Sequence, residues 1–311
     1  MKELPLPALD GRKALGFLAA LGTTRLLERW DGEQPSLRWA RDTSAAVIHT
    51  RHETADALAE RLVEIARSIP ENGVLPGVPA DFPPPGAAPD GLRLPPEQLG
   101  NLAARLVTAP DPELEAWLAS LVTDLTVDDN GRSDISLMAA PSGKQSMRTM
   151  LEKPLQAVRE NPESIREALL GWRRYPGITG EYLDHQVLFD AAHSGTGKSE
   201  ERGVPGATWL ALMAYPLLRT TASLTAAGNG EPITSGWHRR TKRPPSFVYP
   251  LWTEPLGVDA IVALLDHPLW EDAVDGALPP EAAALTVFSV HRFQRRRIAG
   301  RTFSGVMAPV P

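Results

Sequence analysis

Apolar side chains fill the stretch from Leu15 to Trp30, and shorter runs of contrasting period follow it. The long apolar run predicts a buried helix. Ser36–Ala40 and Ala45–Thr50 predict two strands, with turns at Asp31-Gly32 and Asp42-Thr43-Ser44. From Thr54 to Ile69, Leu58, Leu62, Ile65 and Ile69 recur at spacings of three and four, which predicts an amphipathic helix. The unit is therefore helix, two short strands, helix. A second copy reads as a helix at Pro112–Leu121 and strands at Val122–Val127 and Ser133–Ala139. A helix from Gln145 to Arg159 completes it, capped by Ser142. Asn130-Gly131 lies between these strands, and both residues tolerate the positive φ of a tight hairpin. Pro162 suits the first turn of a further helix running to Trp172.

A third copy reads as a helix at Ala207–Arg219, strands at Ile233–Arg239 and Ser246–Trp252, and a helix at Val258–Leu265. The chain then closes with Leu285–Val290 and Thr302–Met307 around a turn at Ala299-Gly300. The segment Pro76–Pro96, rich in Pro, Gly, Ala and Asp, reads as an extended surface connection. Ser194–Gly206 and Ala226–Pro232 read as loose regions. The expected class is α+β and helix-rich, with antiparallel β-hairpins flanked by helices in repeated α-β-β-α units.

Charge adds a division that the hydrophobic pattern lacks. Residues 1–135 carry 13 basic and 21 acidic side chains, whereas residues 136–311 carry 19 and 17. An acidic N-terminal half and a basic C-terminal half follow, either as two units or within one compact domain. The whole chain, at −6, is too acidic for a protein devoted wholly to nucleic acid, so any polyanion surface belongs to the second half. There is no cysteine, which excludes disulfides, thiolate metal sites and cysteine nucleophiles. The opening Met1-Lys2-Glu3-Leu4-Pro5-Leu6-Pro7 lacks the order of a signal peptide. The apolar stretch from Ala14 is interrupted at Thr23-Thr24-Arg25. A cytoplasmic protein with no membrane contact is expected.

Candidate catalytic chemistry is thin. Ala192-His193-Ser194-Gly195-Thr196-Gly197-Lys198-Ser199 imitates a phosphate loop with Ala192 in place of its first glycine, but Gly203, Pro205 and Gly206 interrupt the helix such a loop requires. Asp184-His185 is the one adjacent pair that suggests a metal-dependent hydrolase, and no further ligands can be assigned to it. No carboxylate pair stands out in an apolar setting that would shift its pKa. No cofactor, metal or catalytic residue is expected.

Binding signals are stronger. Lys144, Gln145, Ser146 and Arg148 sit at a predicted helix start, where free N–H groups and cations suit phosphates. Arg173 and Arg174 lie between Trp172 and Tyr175, the mixture of cation and aromatic found in nucleic-acid grooves. Arg239, Arg240, Lys242 and Arg243 occupy a predicted hairpin tip. Arg295, Arg296 and Arg297 form a last cationic run.

Several blocks in order resemble a known family. They are Leu9-Asp10-Gly11-Arg12 with Leu15–Gly22, Ala140–Ser146, Thr179–His185, Val204–Ala211, Tyr249–Trp252 and Glu254-Pro255-Leu256. Together they resemble proteins encoded in type I-G (formerly I-U) CRISPR loci of actinobacteria, which occur alone or as an extension of the helicase–nuclease. The resemblance spans about residues 9 to 309 and brings no catalytic motif with it. It implies a non-enzymatic, large-subunit-like component of the RNA-guided interference (antiviral defense) complex. Its partners would be the effector subunits, the helicase–nuclease, and guide RNA or target DNA. Two alternatives stand beside it: an adaptor that recruits the helicase–nuclease through protein contacts, and a nucleotide- or metal-dependent hydrolase using Lys198 or Asp184 and His185.

Overall fold

The long apolar run forms the helix Ala14–Asp31, and every residue from Ala14 to Leu27 is buried. A helix that is apolar on all sides needs neighbours on all sides. One neighbour is the helix Pro205–Leu212, which crosses so closely that a Cβ on Gly22 would lie 1.8 Å from the carbonyl oxygen of Leu210. Only glycine permits that approach. Phe17 stacks on Tyr249 at 3.9 Å and on Trp39 at 5.6 Å between ring centroids, so the helix joins the two main sheets. The computed structural model describes residues 1–86, 90–106, 111–139, 145–189, 197–198, 200–224, 230–239, 244–273, 277–297 and 305–310.

The first sheet has three antiparallel strands, with Ala45–Thr50 between Lys2–Asp10 and Ser36–Trp39. Lys2–Asp10 is a strand that the hydrophobic pattern did not announce, because Pro5 and Pro7 interrupt it. Both prolines are tolerated because this is an edge strand, where a missing N–H leaves no ladder bond unmade. The second sheet has four antiparallel strands in the order Trp237–His238, Ser246–Trp252, Val287–Arg296 and Val306–Pro309. Trp252 Nε1 donates to Leu37 O at 2.7 Å and Tyr249 Oη donates to Gly11 O at 3.0 Å, which fastens this sheet to the N-terminal elements. The larger apolar cluster includes residues from Leu4 to Met307, and Tyr182, Val187 and Val306 form a smaller one.

The protein is α+β, with antiparallel strands in small sheets beside helices. The helix Ala55–Ser68 and the strand Val122–Val127 lie where the pattern put them, while the partner strand expected over 133–139 stops at Ile135. The third unit departs from the pattern. Gly230–Thr234 pairs with Thr220–Leu224, while Trp237–His238 pairs with Ser246–Trp252. The expected strand 233–239 is split at Gly236, whose φ of +77° turns the chain between two sheets. The expected helix 207–219 spans only Pro205–Leu212, followed by a tighter turn at Tyr215–Leu217 around Pro216, which has no N–H to continue an α-helix. The region read as loose contains the strand Glu200–Gly203, and the helix Pro96–Leu106 starts where the expected surface connection ends. The predicted turn at 299–300 lies outside the described residues. Among them, no helix is long and apolar enough to cross a membrane.

Candidate nucleic-acid interface

Beside the hairpin Val122–Val127/Ser133–Ile135 and the second sheet is a groove of about 440 Å³. Arg93, Arg295 and Arg297 line it, together with one carboxylate, Asp134, and the apolar surfaces of Leu137, Pro232 and Pro245. Arg93 stands 3.7 Å from Asp128, a contact too long to neutralise it closely. Arg297 has no ion-pair or hydrogen-bond partner among the described residues. Arg295 is set deeper. Its Nη2 donates to Met138 O and its Nη1 to Gly305 O at 3.4 Å, while its Nε is buried without a partner among the described residues. Burial pushes this guanidinium down to about 10, so it still carries its charge at neutral pH.

Strand geometry explains the placement. Arg295 pairs across the ladder with Met307 and lies on the same strand face as buried Phe293 two residues earlier, so its side chain leaves the strand on the core side. Asp134 alternates between buried Ser133 and Ile135, which turns its side chain to the opposite face of the hairpin. The Asp134 carboxylate likewise has no hydrogen bond or ion pair to any described residue.

The other sequence candidates are distributed differently. Ser146 is the N-cap of the helix Met147–Glu160, its Oγ accepting from Thr149 N while Thr149 Oγ1 accepts from Ser146 N at 2.8 Å. That capping box starts the helix at Met147 and takes the role expected of Ser142. Gln145 Nε2 donates to Glu181 Oε2. Arg148 donates to the carbonyls of Asn72 (2.5 Å), Ala80 (3.0 Å) and Pro83 (3.0 Å), so it holds a distant loop. Arg174 donates to Arg202 O at 3.0 Å and to Asp184 at 2.5 Å. Arg173 is 71% exposed, 3.8 Å from Glu167, and its guanidinium lies over the ring of Tyr175. Arg239 pairs with Glu231 at 2.6 Å, and Arg296 donates to Pro309 O at 2.8 Å. Lys144, Arg240, Lys242 and Arg243 lie outside the described residues. Of the thirteen, Arg295 and Arg297 share the groove, and Arg93 joins them from the acidic half.

One buried carboxyl escaped the sequence reading. Glu181 is 6% exposed, and burial pushes its carboxyl up to about 7 despite hydrogen bonds from Gln145 and Thr179 and the charges of Lys153 and Arg295. It lies in a left-handed turn, with φ of 58° at Gly180, 49° at Glu181 and 55° at Tyr182. Left-handed backbone at a non-glycine residue costs about 1–3 kcal/mol each. No spacing signal singles Glu181 out, because Gln145, Lys153 and Arg295 reach it from positions far along the chain.

The metal alternative loses its carboxylate to protein donors. Asp184 accepts from Arg174 and from Gln186 N at 2.9 Å, and His185 Nδ1 is 3.7 Å away. Asp31, Glu33 and His52 do converge, but Asp31 is held by Arg61 at 2.5 Å and Glu33 by Thr50 Oγ1 at 2.7 Å. Of the phosphate-loop imitation, only Gly197 and Lys198 lie among the described residues. No protein-family model matches the chain, and no curated protein matches it significantly.

Proposed function

We propose that this protein is a nucleic-acid-binding component of a type I CRISPR effector complex, without catalytic chemistry of its own. The observation that carries the binding part is the groove, where three guanidiniums meet one carboxylate and two of the three keep donors that no described residue accepts. Such a cleft attracts phosphates, and the released counterions make the binding salt-dependent. The CRISPR assignment rests on the ordered blocks of family resemblance, among them Thr179–His185, which contains the strained turn at Glu181.

The test is fluorescence anisotropy of the purified chain with labelled RNA and DNA across a salt series, alongside co-purification with effector subunits and guide RNA. Arg93→Ala and Arg297→Ala should each weaken binding and lower the slope of log K against log salt by about 0.7 on a single strand. Binding with no salt dependence, or none at all, overturns the proposal.

The adaptor reading has its own observation. Leu125, Val127 and Leu224 are 67%, 48% and 81% exposed, and Leu224 pairs with Gly230, whose backbone abuts Thr126. Exposed apolar side chains gathered on two abutting hairpins suit a protein partner. If Leu125→Ser with Leu224→Ser abolishes co-purification while Arg93→Ala and Arg297→Ala do not, the adaptor reading replaces the first.

A further inference from the structure

We infer that the groove receives one unpaired nucleotide, and that the Asp134 carboxylate accepts a hydrogen bond from the amino group of its base. The inference rests on the nucleic-acid reading above and narrows its ligand.

Three features lead to it. The first is size: about 440 Å³ falls in the range of roughly 300–1,000 Å³ that single small ligands fill, whereas a duplex offers a broad backbone ridge with its base faces stacked inside. The second is the wall. Leu137, Pro232 and Pro245 present apolar surface between the cations, and an unstacked base has an apolar face to lay against it. The third is Asp134. A carboxylate is an acceptor only and repels phosphate, so its presence among three arginines marks where the backbone does not run. It is half-buried and has no partner among the described residues, which leaves its oxygens available to a ligand donor.

Base chemistry then sets a preference. Cytosine, adenine and guanine each offer an exocyclic amino group to an acceptor. Uracil offers only an imide N–H flanked by two carbonyl oxygens, which repel a carboxylate. Arg93, Arg295 and Arg297 hold the phosphates on either side, and Asp134 chooses the base.

The experiment is fluorescence anisotropy of the full chain with labelled oligo-C, oligo-A and oligo-U RNA of equal length, and with a blunt RNA duplex. Oligo-C and oligo-A should bind about tenfold more tightly than oligo-U, the low end of what one base-edge contact discriminates. Asp134→Asn, whose amide can also donate to uracil, should erase that preference, and Asp134→Ala should erase it as well. Thermal melting of both variants should match the wild type, since Asp134 has no internal partner to lose. Tighter binding to the duplex, or single-strand binding blind to base and to Asp134, overturns the inference and leaves the nucleic-acid reading in place. Failure to bind every one of these probes overturns that reading itself.

Discussion

Replacing Glu181 with glutamine should stabilise the protein above neutral pH and leave its stability nearly unchanged in acid. The folded carboxyl is pushed up to about 7 by burial, from an ordinary 4.5. The groups facing it are Lys153 from the helix Met147–Glu160, Arg295 from the second sheet, Tyr215 from the turn after the helix Pro205–Leu212, and the side chains of Gln145 and Thr179. Arg295 stays charged throughout, and burial holds the Tyr215 phenol above its ordinary range, so neither titrates in this window. The folded state therefore holds its proton where the unfolded chain has lost it. This contribution is complete below about pH 4.5 and is lost as pH rises through about 7. At about 1.4 kcal/mol per pKa unit the full loss is about 3 kcal/mol, of which roughly 2–3 kcal/mol falls between pH 5 and 8. That is a large part of the 5–15 kcal/mol that holds a typical domain together. Glutamine keeps the shape and can still accept from Gln145, but it never ionises. Urea unfolding of both proteins at pH 5 and pH 8 reads the effect, and groups common to both cancel in the difference. A gap between the two proteins that stays constant with pH would refute the buried, neutral carboxyl.

Arg148→Ala should cost about 2 kcal/mol in urea unfolding, the range of charge-assisted hydrogen bonds lost to the carbonyls of Asn72, Ala80 and Pro83. It should leave the salt slope of nucleic-acid binding unchanged, and a fall in that slope would return Arg148 to the phosphate surface. Glu113→Ala should cost about 3–5 kcal/mol, because it leaves the Arg25 guanidinium, 6% exposed, without its counter-charge. It also removes the acceptor of Trp117 Nε1 at 2.8 Å. The paired replacement Arg25→Met with Glu113→Leu should recover most of that loss, and a cost under about 1 kcal/mol for the single variant would refute the buried pair.

Local pattern was enough for much of the scaffold. The buried helix, the amphipathic helix Ala55–Ser68 and the hairpin around Asn130-Gly131 follow from period and turn chemistry, which act over a few neighbouring residues. Tertiary structure decided the rest. Lys2–Asp10 is a strand only because an edge position awaits its prolines, and the run 233–239 divides because two sheets compete for it. The site depended still more on long-range contacts. All thirteen candidates were chosen for composition and local position, yet a guanidinium's role is set by what it meets. Arg148 meets carbonyls at least 65 positions away, and Arg174 meets a buried Asp184. Arg93, from the half that composition marked as acidic, meets Arg295 and Arg297 across the groove. Charge counted along the chain is blind to such meetings, because ion pairs and buried carboxyls depend on distances in space that folding alone creates.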